Sequence, residues 1–290
     1  MGRSHALAYH NNPGFEIVGL VNRSEVALPE DLRGYTIHPS FENALAELKP
    51  DLCSICTYSD SHADYAVMAF EAGCHVFVEK PLATTVADAE RVVAAAKAAG
   101  RKLVIGYILR HHPSWMRLIE EARKLGPPYV FRMNLNQQSS GPTWETHKAL
   151  MQTTSPIVDC GVHYVDVMCQ ITDAKPVQVR GMGLRLSDEV APDMYNYGHL
   201  QVMFDDGSVG WYEAGWGPMI SETAFFVKDV MSPGGSVSIV MDPAAKSDDI
   251  DTHTKTSVIR VHNAETGPDG RFLRPDEDLA MAGEPGHQDL

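Results

Sequence analysis

An apolar run, Val76-Phe77-Val78, ends abruptly in Glu79-Lys80-Pro81. Branched and aromatic residues before a proline read as a buried strand that must stop, because Pro81 has no N–H to offer a neighbouring strand. An alanine-rich helix follows, so the charged pair stands at the carboxyl end of a strand, on the turn into a helix. In open α/β sheets that edge is where ligands bind. An amine held there in a desolvated cleft gives up its proton more readily and can pass it on. A second set lies in Asp159-Cys160-Gly161-Val162-His163. Asp159 and His163 are four residues apart on an expected helix, so both project from one face, one turn apart. A carboxylate beside an imidazole is a proton-handling unit, and Gly161 between them leaves room for a flat ligand. Each set also has a plainer reading. Alone, Glu79-Lys80 is a solvated surface pair and Asp159-His163 a helix-surface hydrogen bond.

The elements that must position these groups fall into two halves. In the first hundred residues, short apolar runs alternate with helical patterns. Strands are expected at 15–21, 52–56, 75–78 and 103–106. Helices are expected from Ser40, which supplies a cap, over 60–72 with Gly73 as the stop, and over 85–99. The last opens on a Thr85-x-x-Asp88 capping pattern and ends at Gly100. Strand and helix alternating at this pace mean βαβ units and a parallel sheet. After about residue 125 longer strands take over, at 129–136, 177–186, 199–204, 209–216, 237–241 and 257–261. An Asp205-Asp206-Gly207 hairpin turn joins two of them. One helix, from the Ser155-Pro156 start to about Ile171, interrupts them. The expected architecture is a doubly wound parallel-sheet domain over 1–108 and an α+β domain with a large, mainly antiparallel sheet over 109–290, with the boundary between 108 and 128.

The bulk composition narrows the function. The chain has 290 residues, 44% of them hydrophobic, and a formal net charge of −14 from 38 acidic and 24 basic side chains. A surface that acidic does not bind nucleic acid by neutralising phosphates. No apolar stretch approaches eighteen residues and the N-terminus is not signal-like, so the expectation is a cytoplasmic protein without membrane contact. Five cysteines, an odd count, do not make a secreted disulfide framework. Cys53-x-x-Cys56 has the spacing of a redox pair. It lies in an apolar, strand-like run rather than at a helix start, so it reads as two small strand residues. No metal-ligand spacing is present, and His111-His112 falls before a proline in an expected loop.

Taken in order, Gly2-x-x-His5, Thr57 with His62, Glu79-Lys80-Pro81, Gly106 followed by Arg110, and Asp159-x-x-x-His163-x-x-Asp166 resemble the Gfo/Idh/MocA oxidoreductases, the relatives of glucose–fructose oxidoreductase and inositol dehydrogenase. The resemblance covers residues 2 to 262. It implies a Rossmann domain that binds NAD or NADP and a second domain whose sheet mediates oligomerisation. It further implies redox chemistry on a hydroxyl or carbonyl of a sugar, cyclitol or similar polyol. Carried over, Lys80 and His163 flank the reacting hydroxyl and Asp159 completes the catalytic set. The cofactor would meet Gly2, His5, Asn22, Arg23, Ser24, Thr57, Tyr58, Ser59, His62, Glu79, Lys80 and Arg110.

The chain departs from the family pattern in three places. Of the Gly-x-Gly-x-x-Gly turn only the last glycine, Gly2, is present, and the expectation is that the natural protein is longer at its start. Likewise the closing Gly-His-Gln-Asp-Leu stops where a helix would begin. Thr57-Tyr58-Ser59 replaces a proline-containing turn, setting Tyr58 against the adenosine. Asn22-Arg23 stands where an acid normally grips the ribose 2′-hydroxyl of NAD, so Arg23 could hold the 2′-phosphate of NADP, or Asn22 simply bond the ribose.

For the substrate, Lys80, Asp159 and His163 are joined by Asn136, Trp144 in a Gly-Pro-Thr loop, and Tyr195; Gln137 and Asn196 stand beside two of them. Aromatic and amide groups suit a polyol, although each taken singly fits a structural role equally well. The expected assembly is a homodimer or homotetramer. Two other activities share the scaffold: a redox-neutral glycosidase working through bound NAD, and a non-catalytic regulator that senses a sugar or dinucleotide.

Overall fold

The computed structural model describes residues 1–221, 227–243, 245–248 and 250–281. The closing Gly-His-Gln-Asp-Leu lies outside them. Two compact units are present, one from Met1 to Gly106 and the other beginning at Tyr107.

The first unit is Rossmann-like. It runs α1 (Gly2–Asn11), β1 (Leu20–Val21), β2 (Ile37–His38), α2 (Phe41–Leu48), β3 (Leu52–Ile55), α3 (His62–Glu71), β4 (His75–Val78), α4 (Val86–Ala99) and β5 (Leu103–Ile105). All its strand pairs are parallel: β1 with β2, and β3 and β5 on either side of β4. Central β4 buries Val76 and Val78, and α3 lays Ala66, Ala69 and Phe70 on this sheet. The expected ends hold where cap chemistry sets them. Ser40 Oγ accepts from Asn43 N at 3.2 Å and Thr85 Oγ1 from Asp88 N at 3.1 Å, while Gly73 and Gly100 take φ +84° and +62°. The strand expected over 15–21 shrinks to Leu20–Val21, because only these two residues find a partner, in Ile37–His38.

The second unit carries α5 (Pro113–Leu125), β6 (Val130–Gln138), α6 (Gly141–Leu150), α7 (Pro156–Asp159), α8 (Gly161–Ile171) and β7 (Pro176–Leu184). The chain continues through β8 (Tyr197–Phe204), β9 (Val209–Gly217), β10 (Lys228–Ser232), β11 (Gly235–Ile239), β12 (Val258–Asn263) and β13 (Glu277–Ala280). The described strands form one sheet in the order β13-β12-β11-β10-β6-β9-β8-β7, antiparallel except for the parallel β6–β9 pair. One face is covered by helices. Phe131, Met133, Tyr212, Ala214, Trp216, Val202 and Phe204 project to that side and are buried. Gly207, at φ +86°, turns the β8–β9 hairpin.

Three expectations change here. The stretch taken as an interdomain boundary contains α5, whose Trp115, Leu118 and Ala122 repeat at helical spacing and are fully buried. The loop around Trp144 is α6, entered through Pro142 in its first turn. The single helix from Ser155 to Ile171 is two, α7 and α8, separated at Cys160.

Candidate functional site

In the Rossmann-like unit the chemistry gathers at the carboxyl ends of β3, β4 and β5. Glu79 follows β4 and is buried. Its Oε1 lies 2.9 Å from His5 Nε2, and its Oε2 accepts from the Lys80 N–H at 3.1 Å. His5 Nδ1 reaches Ser54 Oγ at 3.0 Å. Burial works against a charge on His5, yet neighbouring Cys56 and the bonded Glu79 prevail and push its pKa up to about 9. Burial likewise opposes the Glu79 carboxylate, and the bond and charge of His5 outweigh it, holding its pKa below the ordinary value. Gly106 packs closely on this pair, since a Cβ there would stand 3.1 Å from Glu79 Oε2. His62 is sealed in the interior. Its Nδ1 lies 2.8 Å from the Pro81 carbonyl and its Nε2 3.1 Å from that of Thr57, so one ring braces the loops after β3 and β4.

His5, Glu79 and His62, expected to meet a cofactor, thus spend their polar atoms within the protein. What they brace is the rim. Gly2 starts α1 with its Cβ position 3.6 Å from Cys56 Cβ, which puts the helix N-terminus against the turn after β3. Thr57 and Tyr58 are exposed on that turn, with Ser59 half-buried, and Lys80 is half-buried after β4. At the end of β1 the Asn22 amide donates to the Ser24 carbonyl at 2.7 Å, and Arg23 is exposed. Exposed N–H groups at a glycine-started helix suit a pyrophosphate, so the donor set fits a dinucleotide. Cys53 is buried in β3 with its thiol pushed up by burial and then by neighbouring Cys74. That is the inert strand cysteine that the apolar run around it suggests, against its redox-like spacing.

In the second unit, α7 ends on Asp159 and α8 begins at Gly161. The Cys160 N–H donates to Pro156 O at 3.0 Å and the His163 N–H to Cys160 O at 3.2 Å, so the chain tightens between the acid and the imidazole. The space expected above Gly161 for a flat ligand is filled by the protein. A Cβ there would lie 3.1 Å from the Tyr212 ring, which stacks on Tyr164 with centroids 4.7 Å apart. Asp159 is half-buried and His163 buried, its ring 6.3 Å from that of Tyr107. Arg110, expected at the cofactor, grips Asp166 through two hydrogen bonds of 2.8 and 2.5 Å.

The substrate candidates scatter. Asn136 shares its sheet face with Glu213 and Tyr197, away from α7 and α8. Its amide donates to Glu213 Oε1 at 2.7 Å, and the Tyr197 hydroxyl donates to Oε2 at 2.8 Å. Trp144 is buried and donates its indole N–H to Glu189 at 3.2 Å. The Tyr195 ring packs over Gly183. On the helix-covered face stand Gln137, named beside Asn136 in the sequence, and two residues that the motifs do not reach. Gln137 pairs with Trp216 in register, and His147 of α6 stacks on Trp216 at 4.4 Å. Lys228 is fully buried over the Tyr164 ring and donates to Asn134 O; burial pushes its pKa down to about 7. Strand alternation could have separated Asn136 from Gln137; nothing in the sequence singled out His147 or Lys228.

Two family models match the chain. The oxidoreductase family with an NAD-binding Rossmann fold matches residues 1–107, and the GFO/IDH/MocA C-terminal domain matches 116–223. The chain belongs to the Gfo/Idh/MocA family. Among its relatives, D-glucoside 3-dehydrogenase of Escherichia coli (strain K12) is 25% identical over 93% of this chain and 81% of that protein. Inositol 2-dehydrogenase of Salmonella typhimurium (strain LT2) is 28% identical over 53% of this chain, an alignment spanning 46% of the relative. The WlbA dehydrogenase of Bordetella pertussis, solved with NADH and UDP-GlcNAcA, superposes with a TM-score of 0.71 at 20% identity, over 92% of this chain and 75% of that one; at that identity it speaks for the fold. The bonded His5–Glu79 pair and the Lys80 turn are therefore the Rossmann half of a Gfo/Idh/MocA oxidoreductase, a family that binds NAD.

Proposed function

We propose that the protein transfers a hydride between NAD or NADP and a hydroxyl-bearing carbon of a sugar, inositol or similar polyol. The observation that carries this reading is Lys80, at the carboxyl end of the central strand of an NAD-binding Rossmann unit, its backbone pinned by buried Glu79. When bound, the nicotinamide supplies the hydride acceptor or donor. Gly2 and the first-turn N–H groups of α1 would take the pyrophosphate. Asn22, Arg23 and Ser24 would take the ribose beside the adenine, and Thr57, Tyr58 and Ser59 the adenosine face. Lys80 would hold the reacting oxygen and polarise it with its ammonium, while the His163 imidazole takes or returns the hydroxyl proton and Asp159 steadies the charge that this creates.

The relatives named for glucosides and inositol support a polyhydroxylated substrate. The test is a panel of free polyols, aldoses and glycosides with each cofactor, read at the nicotinamide absorbance. Net NADH or NADPH formation from a free polyol supports the proposal. Glycoside cleavage without net reduced cofactor replaces it with the redox-neutral reaction, and sugar binding without any turnover replaces it with a regulator.

A further inference from the structure

We infer that His147 is a substrate-binding residue, and that its Nε2 takes a neutral hydroxyl of the same polyol, next to the one that reacts. The inference rests on the oxidoreductase reading above. Its ground is the layout of one sheet face. Along the helix-covered side of β9, Met168 of α8 lies over Gly210 and Gly161 over Tyr212. Ile157 of α7 lies over Gly198, the partner of Ala214, and His147 of α6 covers Trp216. The imidazole is thus the next group along the face after the helix that ends in Asp159.

Its orientation is fixed twice. The ring lies flat on Trp216, at 14° between planes, and Nδ1 is held at 3.0 Å by Ser139 Oγ. Ser139 is itself buried, its N–H bonded to Gly217 O at 3.2 Å. Among the described residues, His147 Nε2 has no hydrogen-bond partner, and it is not sealed from solvent. Burial keeps the ring neutral, its pKa pushed down to about 4, although the Asp159 carboxylate is near enough to pull the other way. A neutral ring nitrogen is suited to a hydroxyl, which can either donate or accept, and the carboxylate nearby disfavours an anion.

The plain alternative is that His147 only packs Trp216, and His147→Phe separates the two because it keeps the stack and removes the nitrogens. Steady-state kinetics would use the polyol that the wild type turns over best and its deoxy analogue at the neighbouring carbon. The expected result is a KM for the polyol raised about five- to tenfold, the scale of one neutral hydrogen bond. NADH binding should be unchanged, and the deoxy analogue should show no further loss. Because the ring is neutral above about pH 4, the pH profile should keep its position. Ser139→Ala, which frees the ring but leaves it in place, should raise KM less. An unchanged KM in His147→Phe, or equal losses on polyol and deoxy analogue, overturns this inference alone. Should His147→Phe fail to fold, Ser139→Ala decides on the same two substrates. A wild type inactive on every polyol overturns the oxidoreductase reading, and this inference with it.

Discussion

His5 Nε2 stands 2.9 Å from Glu79 Oε1, and that contact ties the first turn of α1 to the end of the central strand. The pair is mostly buried, with side-chain exposures of 15% and 8%. Burial opposes charge on both, yet Cys56 and Glu79 raise the pKa of His5, and His5 and Lys80 lower that of Glu79, so the ionised pair is favoured. The helix start and the turn that carries Lys80 are therefore held by one electrostatic bond.

That bond has a pH signature. The folded pKa of His5, about 9, exceeds its ordinary 6.5, so its stabilisation is complete below pH 6.5 and is lost as pH rises through 9. Glu79 has a lowered pKa, so its share is present above its ordinary 4.5 and is lost as pH falls below that. The two shifts share the His5–Glu79 contact, with Cys56 adding to the first and Lys80 to the second. Glu79→Gln should cost about 1.5–3 kcal/mol near pH 6, the worth of a hydrogen bond to a charged group. The gap from wild type should narrow as pH rises through 9, measured by urea unfolding at pH 6 and above pH 9. A gap independent of pH would show that the pair is not ionised.

Arg23 is exposed at the end of β1, next to an asparagine whose amide is engaged by Ser24. If Arg23 takes a 2′-phosphate, Arg23→Ala should weaken NADP roughly tenfold, about 1.4 kcal/mol for one charge-assisted contact, and leave NAD nearly unchanged. Fluorescence titration with both reduced cofactors measures this, and equal losses would remove Arg23 from the site.

The face of the second sheet away from its helices should mediate self-association. The recurrence of aromatics at Trp211, Tyr212 and Trp216 suggests such a face, but alternation divides them: Tyr212 and Trp216 are buried under helices, and only Trp211 points the other way. The open face still presents Met182, Leu184, Met203, Val130 and Val209, exposed by 37% to 71%. Apolar area of that kind is normally covered by a second subunit. Met182→Lys with Leu184→Lys should shift sedimentation towards monomer; a wild type already monomeric at micromolar concentration would refute the idea.

What the sequence showed, and what it hid, divides along physical lines. Ser40, Thr85, Gly73, Gly100 and the Asp205-Asp206-Gly207 turn were legible because caps and turns are local chemistry. Glu79-Lys80-Pro81 at a strand end was legible for the same reason. Partners were not. That His5 and Glu79 bond each other, that Arg110 grips Asp166, and that Tyr212 fills the space above Gly161 depend on contacts far apart in the chain. Asn136 and Gln137 are adjacent in sequence, but period-two alternation sends them to opposite faces of the sheet, so adjacency alone does not place both at one site. The amphipathic α5 was overlooked because an interdomain boundary was expected there.

The last prediction returns to Lys80. If it holds the reacting oxygen while His163 moves the proton, Lys80→Ala should lower kcat/KM by roughly 10²–10⁴, the range for a positioned acid or base, with the fold intact. Lys80 is half-buried on a turn and its backbone N–H is already bonded to Glu79, so losing the side chain leaves the turn anchored. His163→Ala should fall in a similar range. The double variant should lose less than the product of the two, because both serve one proton transfer. Asp159→Asn should chiefly move the pH profile of kcat/KM, since it removes the charge and keeps the shape. A solvated Lys80 with no part in the chemistry predicts near-normal turnover for Lys80→Ala, and that one rate separates the two accounts.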